Sequence, residues 1–305
     1  MRQFLFRLCI YVAVVPCVQA GDGFTFLTMR TNPRATGLGE TIRFTDWLSV
    51  DQNPSAASHA AGRGLSFAYF NHLLDVQTTS ASGVWPMTQT FLAGGVLGGH
   101  LVYTSYGDFD GFDDNGNATS MYSASDVSLS AFYARPYGER WRWGTALKFA
   151  HSTIGDYSAS GLAIDAGVQY EKPALTIGGG LTNVGFALDA FDKDRESLPL
   201  GIHVAAEKRW TKVSIHASWF DFHRSGSFTD RIKRLAAGAE YKPVEELALR
   251  VGYNHATRQE LSLTSGGTAG LSGGVGFKYK RYVFDYAVTT WRVGALHRFS
   301  ITTQL

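Results

Sequence analysis

The sequence predicts a transmembrane antiparallel β-barrel of about 14 strands behind an export signal, and three observations predict it. Stretches of roughly ten residues alternate apolar with small or polar side chains along the chain. Tight turns and longer loops mostly take turns between those stretches. The first twenty residues have the layout of a cleavable secretory signal. A chain of this kind belongs in a bacterial outer membrane, with both termini on the periplasmic, short-turn side.

Within residues 1–20, Arg2 and Arg7 form a positive n-region and 8–15 is a short apolar run closed by Pro16. Val18-Gln19-Ala20 then places small or apolar residues before a cleavage at Gly21. Cys17 offers a lipoprotein signal as the alternative, although Val15-Pro16-Cys17-Val18 lacks the small residues such a site uses. Cys9 and Cys17 are the only cysteines, so cleavage leaves no disulfide, thiol nucleophile or cysteine metal ligand. It also removes two arginines, bringing the 28 basic residues level with the 26 acidic ones. A nucleic-acid partner thereby loses its electrostatic footprint, and no cofactor motif is present.

The 34 Gly, 20 Phe, 14 Tyr and 7 Trp stand beside a charged fraction of only 18%. No later run of about eighteen apolar residues exists to form a spanning helix, so any crossing must be made by strands.

Strands are read at 62–71, 73–84, 89–106, 119–136, 139–153, 158–171, 173–184, 198–209, 210–222, 229–242, 245–256, 265–280, 281–289 and 291–304. In the sixth, Leu162, Ile164, Ala166, Val168 and Tyr170 face one way and Ala163, Asp165, Gly167 and Gln169 the other. Val213, Ile215, Ala217 and Trp219 oppose Ser214, His216 and Ser218 in the same manner. A soluble β-sandwich shows such alternation too, and the order of the connections separates the two. Short turns fall at 135–139, 171–173, 208–212, 242–245 and 278–281, and longer loops between them at 107–119, 151–158, 184–197, 223–230 and 255–267. The hairpins near His72 and Thr290 are exceptions, tight where long loops are expected.

Aromatic residues near strand ends, among them Tyr69, Trp85, Tyr103, Tyr106, Trp141, Trp210 and Tyr241, suit interfacial girdles. The last strand must pair with the first, because an open edge in lipid strands unpaired amides.

Residues 21–61 break the strand rhythm. They are turn-rich, with Asn32-Pro33, Gly37-Leu38-Gly39 and Asn53-Pro54, yet carry Phe24, Phe26, Leu27, Leu38, Ile42, Phe44, Trp47 and Leu48. That is too much apolar surface for a solvated tail, so the segment is expected to fold inside the barrel as a hatch, leaving 62–305 as the wall.

A family resemblance rests on Phe26-Leu27 and Pro33-Arg34-Ala35-Thr36-Gly37-Leu38-Gly39, then Asp51-Gln52-Asn53-Pro54-Ser55-Ala56. Tyr106-Gly107-Asp108-Phe109-Asp110 and Tyr122-Ser123-Ala124-Ser125-Asp126 extend it across the mature chain. Together these look like the PorV/PorQ family of type IX secretion, which is similar in turn to FadL-type fourteen-stranded barrels whose N-terminal hatch fills the lumen. Leu305 departs from the terminal Phe of many outer-membrane barrels. The resemblance implies a non-enzymatic anchor for a PorZ-like surface protein beside PorU and PorV, among outer-membrane lipid and lipopolysaccharide. The hatch motif is then Pro33, Arg34, Gly37, Leu38, Gly39, Asn53 and Pro54. The partner-facing loops carry Asp108, Asp110, Asp113 and Asp114, with Asp189, Phe191, Asp192, Lys193, Asp194 and Arg195.

Two other classes compete. Asp108 with Asp110, and Asp221 with His223, place ionisable pairs at i and i+2 near outward strand ends, an arrangement similar to omptin outer-membrane proteases. Those barrels have ten strands, and the rest of their pattern is missing. The acidic stretch ending Asn115-Gly116-Asn117 lacks the closing Glu of a calcium loop, and the nine histidines form no close pair. The third class is a FadL-like transporter of hydrophobic molecules. Gly94-Gly95, Gly98-Gly99, Gly178-Gly179-Gly180 and Gly273-Gly274 would then mark bends in the wall, or else admit close contact with the hatch.

Overall fold

A computed structural model describes residues 23–72, 75–88, 92–112, 116–190, 195–222, 234–260, 268–291 and 294–305. The signal segment 1–20 lies outside them. Fourteen strands form the wall: β1 Gly64–Asn71, β2 Gln77–Pro86, β3 Val96–Phe109, β4 Tyr122–Tyr137, β5 Trp141–Ile154, β6 Tyr157–Lys172 and β7 Leu175–Ala187. The ring continues with β8 Gly201–Arg209, β9 Val213–Phe220, β10 Leu235–Val244, β11 Leu247–Asn254, β12 Leu271–Tyr279, β13 Tyr282–Trp291 and β14 Gly294–Gln304. Each strand pairs antiparallel with its sequence neighbours, and β1 closes on β14 from Gly64↔Gln304 to Asn71↔His297. No described helix is long and apolar enough to cross a membrane.

The faces of the wall are inverted relative to a soluble sandwich. Phe67, Leu129, Leu147, Ile164, Ile177 and Val251 are each at least half exposed, whereas Asp165, Gln169, Thr176, Glu207 and His216 are almost completely buried. Period-2 alternation does this: apolar residues stand outward on every strand, and small or polar ones stand inward. An apolar band of that extent is stable only against hydrocarbon. Trp85, Trp141, Trp210, Tyr241 and Tyr279 are exposed at the end of the barrel that holds the termini of β1 and β14, as a girdle requires.

Two mouths differ. The mouth bearing Gly64 and Gln304 carries the connections 87–95, 138–140, 173–174, 210–212, 245–246 and 280–281. The opposite, loop mouth carries 72–76, 110–121, 155–156, 188–200, 221–234, 255–270 and 292–293. The loop expected at 151–158 is instead a two-residue turn with Gly155 at φ 57°. Ser152, Thr153 and Ser158 are instead strand residues that continue β5 and β6, with Ser152 on the lumen row and Thr153 paired with Ser158 on the outward row near the mouth. Conversely, 87–95 is longer than the tight turn expected on its side, and β2 begins only at Gln77.

Residues 24–60 fill the lumen in short turns at Thr25–Thr28, Pro33–Thr36, Trp47–Asp51 and Pro54–His59. Each of the last three has an Asn or Asp cap, with Asn32, Asp46 and Asn53 accepting from Arg34, Leu48 and Ser55 backbone N–H groups. All eight apolar hatch residues named from sequence are buried. Gly23 lies beside Ser197 at the loop mouth, while Leu305 lies at the opposite mouth. The first described hatch residue and the last wall residue thus lie at opposite mouths.

Candidate functional site

The hatch is held by buried ionic ties. Arg34 donates from Nε to Asp285 at 2.6 Å and reaches Asp46 at 3.3 Å. Arg43 meets Glu240 at 3.1 Å, and Arg250 bridges Glu240 and Asp285 at 2.7 Å each. Burial opposes charge on Arg34, but Asp46 and Asp285 outweigh it, so its pKa is raised. Burial likewise pushes the Asp46 carboxyl up, and Arg34 and Arg43 overcome that and hold it below the usual range. Arg34 and Asp46 keep their charges because each has an opposite neighbour within salt-bridge distance.

Polar caps and glycines complete the docking. Thr45 donates to Glu207 at 2.6 Å, and Asn53 donates to the Gly179 carbonyl at 3.1 Å. Backbone runs against backbone where the wall has no side chain: a Cβ on Gly252 would stand 1.9 Å from the Gly39 nitrogen, and one on Gly144 would stand 2.5 Å from the Pro54 carbonyl carbon. Gly178 and Gly274 similarly face Phe44 and Gly37, so these wall glycines admit the hatch. The hatch motif residues Pro33, Arg34, Gly37, Leu38, Gly39, Asn53 and Pro54 all lie at such contacts or beside them.

Above the hatch, at the loop mouth, lies a cavity of about 460 Å³. Phe24 and Phe26 form one wall, with ring centroids 6.1 Å apart, and Phe109 stacked on Tyr122 at 5.4 Å forms another. Phe24, Phe26 and Leu27 pack below against Ala150, Ala159, Ala163, Ala187 and Leu198. Gly23 N–H donates to the Ser197 carbonyl at 3.1 Å, tying the hatch start to the 188–200 connection. Phe24 sits at φ 54°, a left-handed conformation that a bulky residue holds only when its surroundings impose it.

Polar groups enter this cavity from the wall. Asp126 of β4 accepts from the Tyr106 hydroxyl at 2.5 Å and also bonds Ser152. Glu196 lines the rim. A register shift between Ser105 and Asp108 in β3 makes this possible: before it Tyr106 points inward, and after it Phe109 does, opposite Tyr122. Tyr106 is therefore a lumen residue rather than part of the girdle.

The acidic residues singled out from sequence lie elsewhere. Asp108 and Asp110 are exposed, and the β3 shift turns Asp108 away from the cavity. Asp189 bonds the Ser160 backbone N–H, and Arg195 is exposed. Asp113, Asp114, Phe191, Asp192, Lys193, Asp194 and His223 lie outside the described residues, as do the stretches 223–233 and 261–267. The i, i+2 pairs thus put no described carboxylate into the cavity, whereas Asp126, the last residue of the Tyr122–Asp126 motif, does enter it. Its signal was available: on the inward row Tyr122, Ala124, Asp126, Ser128 and Ser130, it is the single carboxylate among small, hydroxyl and aromatic residues.

A second concavity, about 690 Å³, lies on the outer wall over the β1–β14 seam. Phe67, Tyr69, Phe277, Phe284, Tyr286 and Phe299 line it. The β1–β14 ladder is continuous beneath, so it is a groove and not an aperture.

Neither a family model nor a curated protein matches this chain. Solved structures do. The P. putida toluene transporter TodX superposes with a TM-score of 0.59 at 11% identity, covering 89% of this chain and 97% of TodX. A second structure of the same transporter gives 0.56 at 12% identity, over 88% and 95% of the two chains. A TodX mutant described as a monoaromatic hydrocarbon channel gives 0.56 at 13% identity, over 88% and 96%. At such identities the likeness shows a shared fold. The chain is a closed fourteen-stranded antiparallel barrel with a hatch in its lumen, a fold it shares with TodX.

Proposed function

We propose that this protein is a non-enzymatic outer-membrane channel for small hydrophobic molecules. The cavity between the hatch start and β3–β5 carries the reading: it is aromatic-walled, opens at the loop mouth and is floored by the start of the hatch. A ligand would leave water there by burying apolar surface, at about 25 cal/mol per Å². It would pass further when the hatch gives way. The shared fold with a toluene transporter supports this reading over an anchoring role.

Uptake tests it. Intact cells of a Gram-negative host producing the barrel should accumulate radiolabelled ethylbenzene faster than cells without it. Ala124→Trp, which fills the cavity from a half-buried position, should abolish the gain while heat-modifiable migration persists. A barrel that inserts normally and gives no gain sinks the proposal.

The dense ionic ties of the hatch favour a second reading, a closed scaffold that anchors a PorZ-like surface protein near PorU and PorV. In that case shortening 188–200 should release the partner into the medium and leave hydrocarbon accumulation unchanged.

A further inference from the structure

We propose that the loop-mouth cavity selects apolar molecules whose polar end is a protonated amine, and rejects those ending in a carboxylate. The inference rests on the channel reading above and adds the chemistry of the ligand's head. Among the described lining residues, the ionisable acids are Asp126 and Glu196, and none is Lys, Arg or His. Asp126 accepts from Tyr106 and Ser152, which fixes its carboxylate toward the cavity wall and leaves acceptor positions unused on its two oxygens. Two carboxylates in one concave, aromatic-walled site focus negative potential into it. An incoming carboxylate meets that field without a described counter-charge, whereas an ammonium gains from both acids. The rings add to the preference, because the faces of Phe24, Phe26, Phe109 and Tyr122 attract cations. Asp108 and Asp110 are exposed and do not line the cavity.

Three probes of one shape test this on the purified full-length barrel in non-ionic detergent at pH 7: 2-phenylethylamine, 3-phenylpropionate and propylbenzene, measured by equilibrium dialysis. The amine should bind about tenfold more tightly than propylbenzene, and the carboxylate more weakly than either. Asp126→Asn should bring the ratio of amine to propylbenzene affinity close to one. Glu196→Gln, at an exposed rim position, should lower the amine preference in the same direction and keeps the test alive if the Asp126 variant fails to insert. Binding of propylbenzene with no amine preference, or with a preference for the carboxylate, overturns the head-group inference and leaves the channel reading standing. Failure of all three probes to bind overturns both.

Discussion

At the residue scale, the hatch depends on charges that are buried in pairs, so single deletions are costly in a way that paired ones are not. Arg34→Met leaves Asp46 and Asp285 without their shared partner, although Asp285 keeps Arg250. Removing one member of a buried pair costs about 3–5 kcal/mol, so the variant should lose its heat-resistant migration at a clearly lower temperature than the parent. Unaltered migration would show the ties to be incidental. His59 makes a second prediction. Burial, and then Arg142, hold it down to about 4 against the pull of Glu171, whose Oε1 lies 2.7 Å from His59 Nε2 and 2.9 Å from Arg142 Nε. Since the folded pKa lies below the unfolded 6.5, the contribution is complete above pH 6.5 and is lost as pH falls from 6.5 towards 4. The loss amounts to about 3 kcal/mol at most. Thermal unfolding of His59→Gln should therefore fall less steeply than the parent over that window, and parallel curves would contradict the assignment.

At the element scale, the wall and hatch are complementary backbone to backbone. Gly252→Ala drives a Cβ into the Gly39 nitrogen, while Gly273→Ala meets nothing nearer than the Arg250 carbonyl at 3.8 Å. The first should impair assembly and the second should not, with yield of folded barrel as the readout. Trp47→Asp puts a charge among Val84, Val96 and Phe132 and should destabilise by several kcal/mol, about the cost of an unpaired buried polar group. The strands were legible in the sequence because period 2 is local: residues two apart share a face whatever lies opposite. The turn at 155–156 differs from the expected loop because polarity alone does not mark a loop: Ser152, Thr153 and Ser158 sit within strands. The 87–95 connection differs in the other direction, since the strand expected from 89 begins only at Val96. The hatch was legible as a buried apolar set. Its partners were not, since Arg34 meets Asp285 and Arg43 meets Glu240 only after closure of the whole ring. Phe109 shares that problem, because a bulge in β3 changes which parity faces inward after Ser105.

At the scale of the whole molecule, the barrel is a sleeve with an apolar outside, a polar inside and a plug whose first described residue, Gly23, lies at the loop mouth. A channel of this design must release the plug from the wall, at least in part, before a ligand can pass; a scaffold need not. The most direct measurement is uptake of radiolabelled ethylbenzene by cells carrying Ile42→Cys with Ser218→Cys, a hatch and a wall position that meet where the Ile42 N–H donates to the Ser218 hydroxyl at 3.0 Å. Cys9 and Cys17 lie in the expected signal, so the new pair is the one expected in the mature barrel. Uptake should stop under oxidising conditions and return on reduction, with each single cysteine variant indifferent to both treatments. Uptake that continues unchanged with the crosslink formed would contradict the channel account.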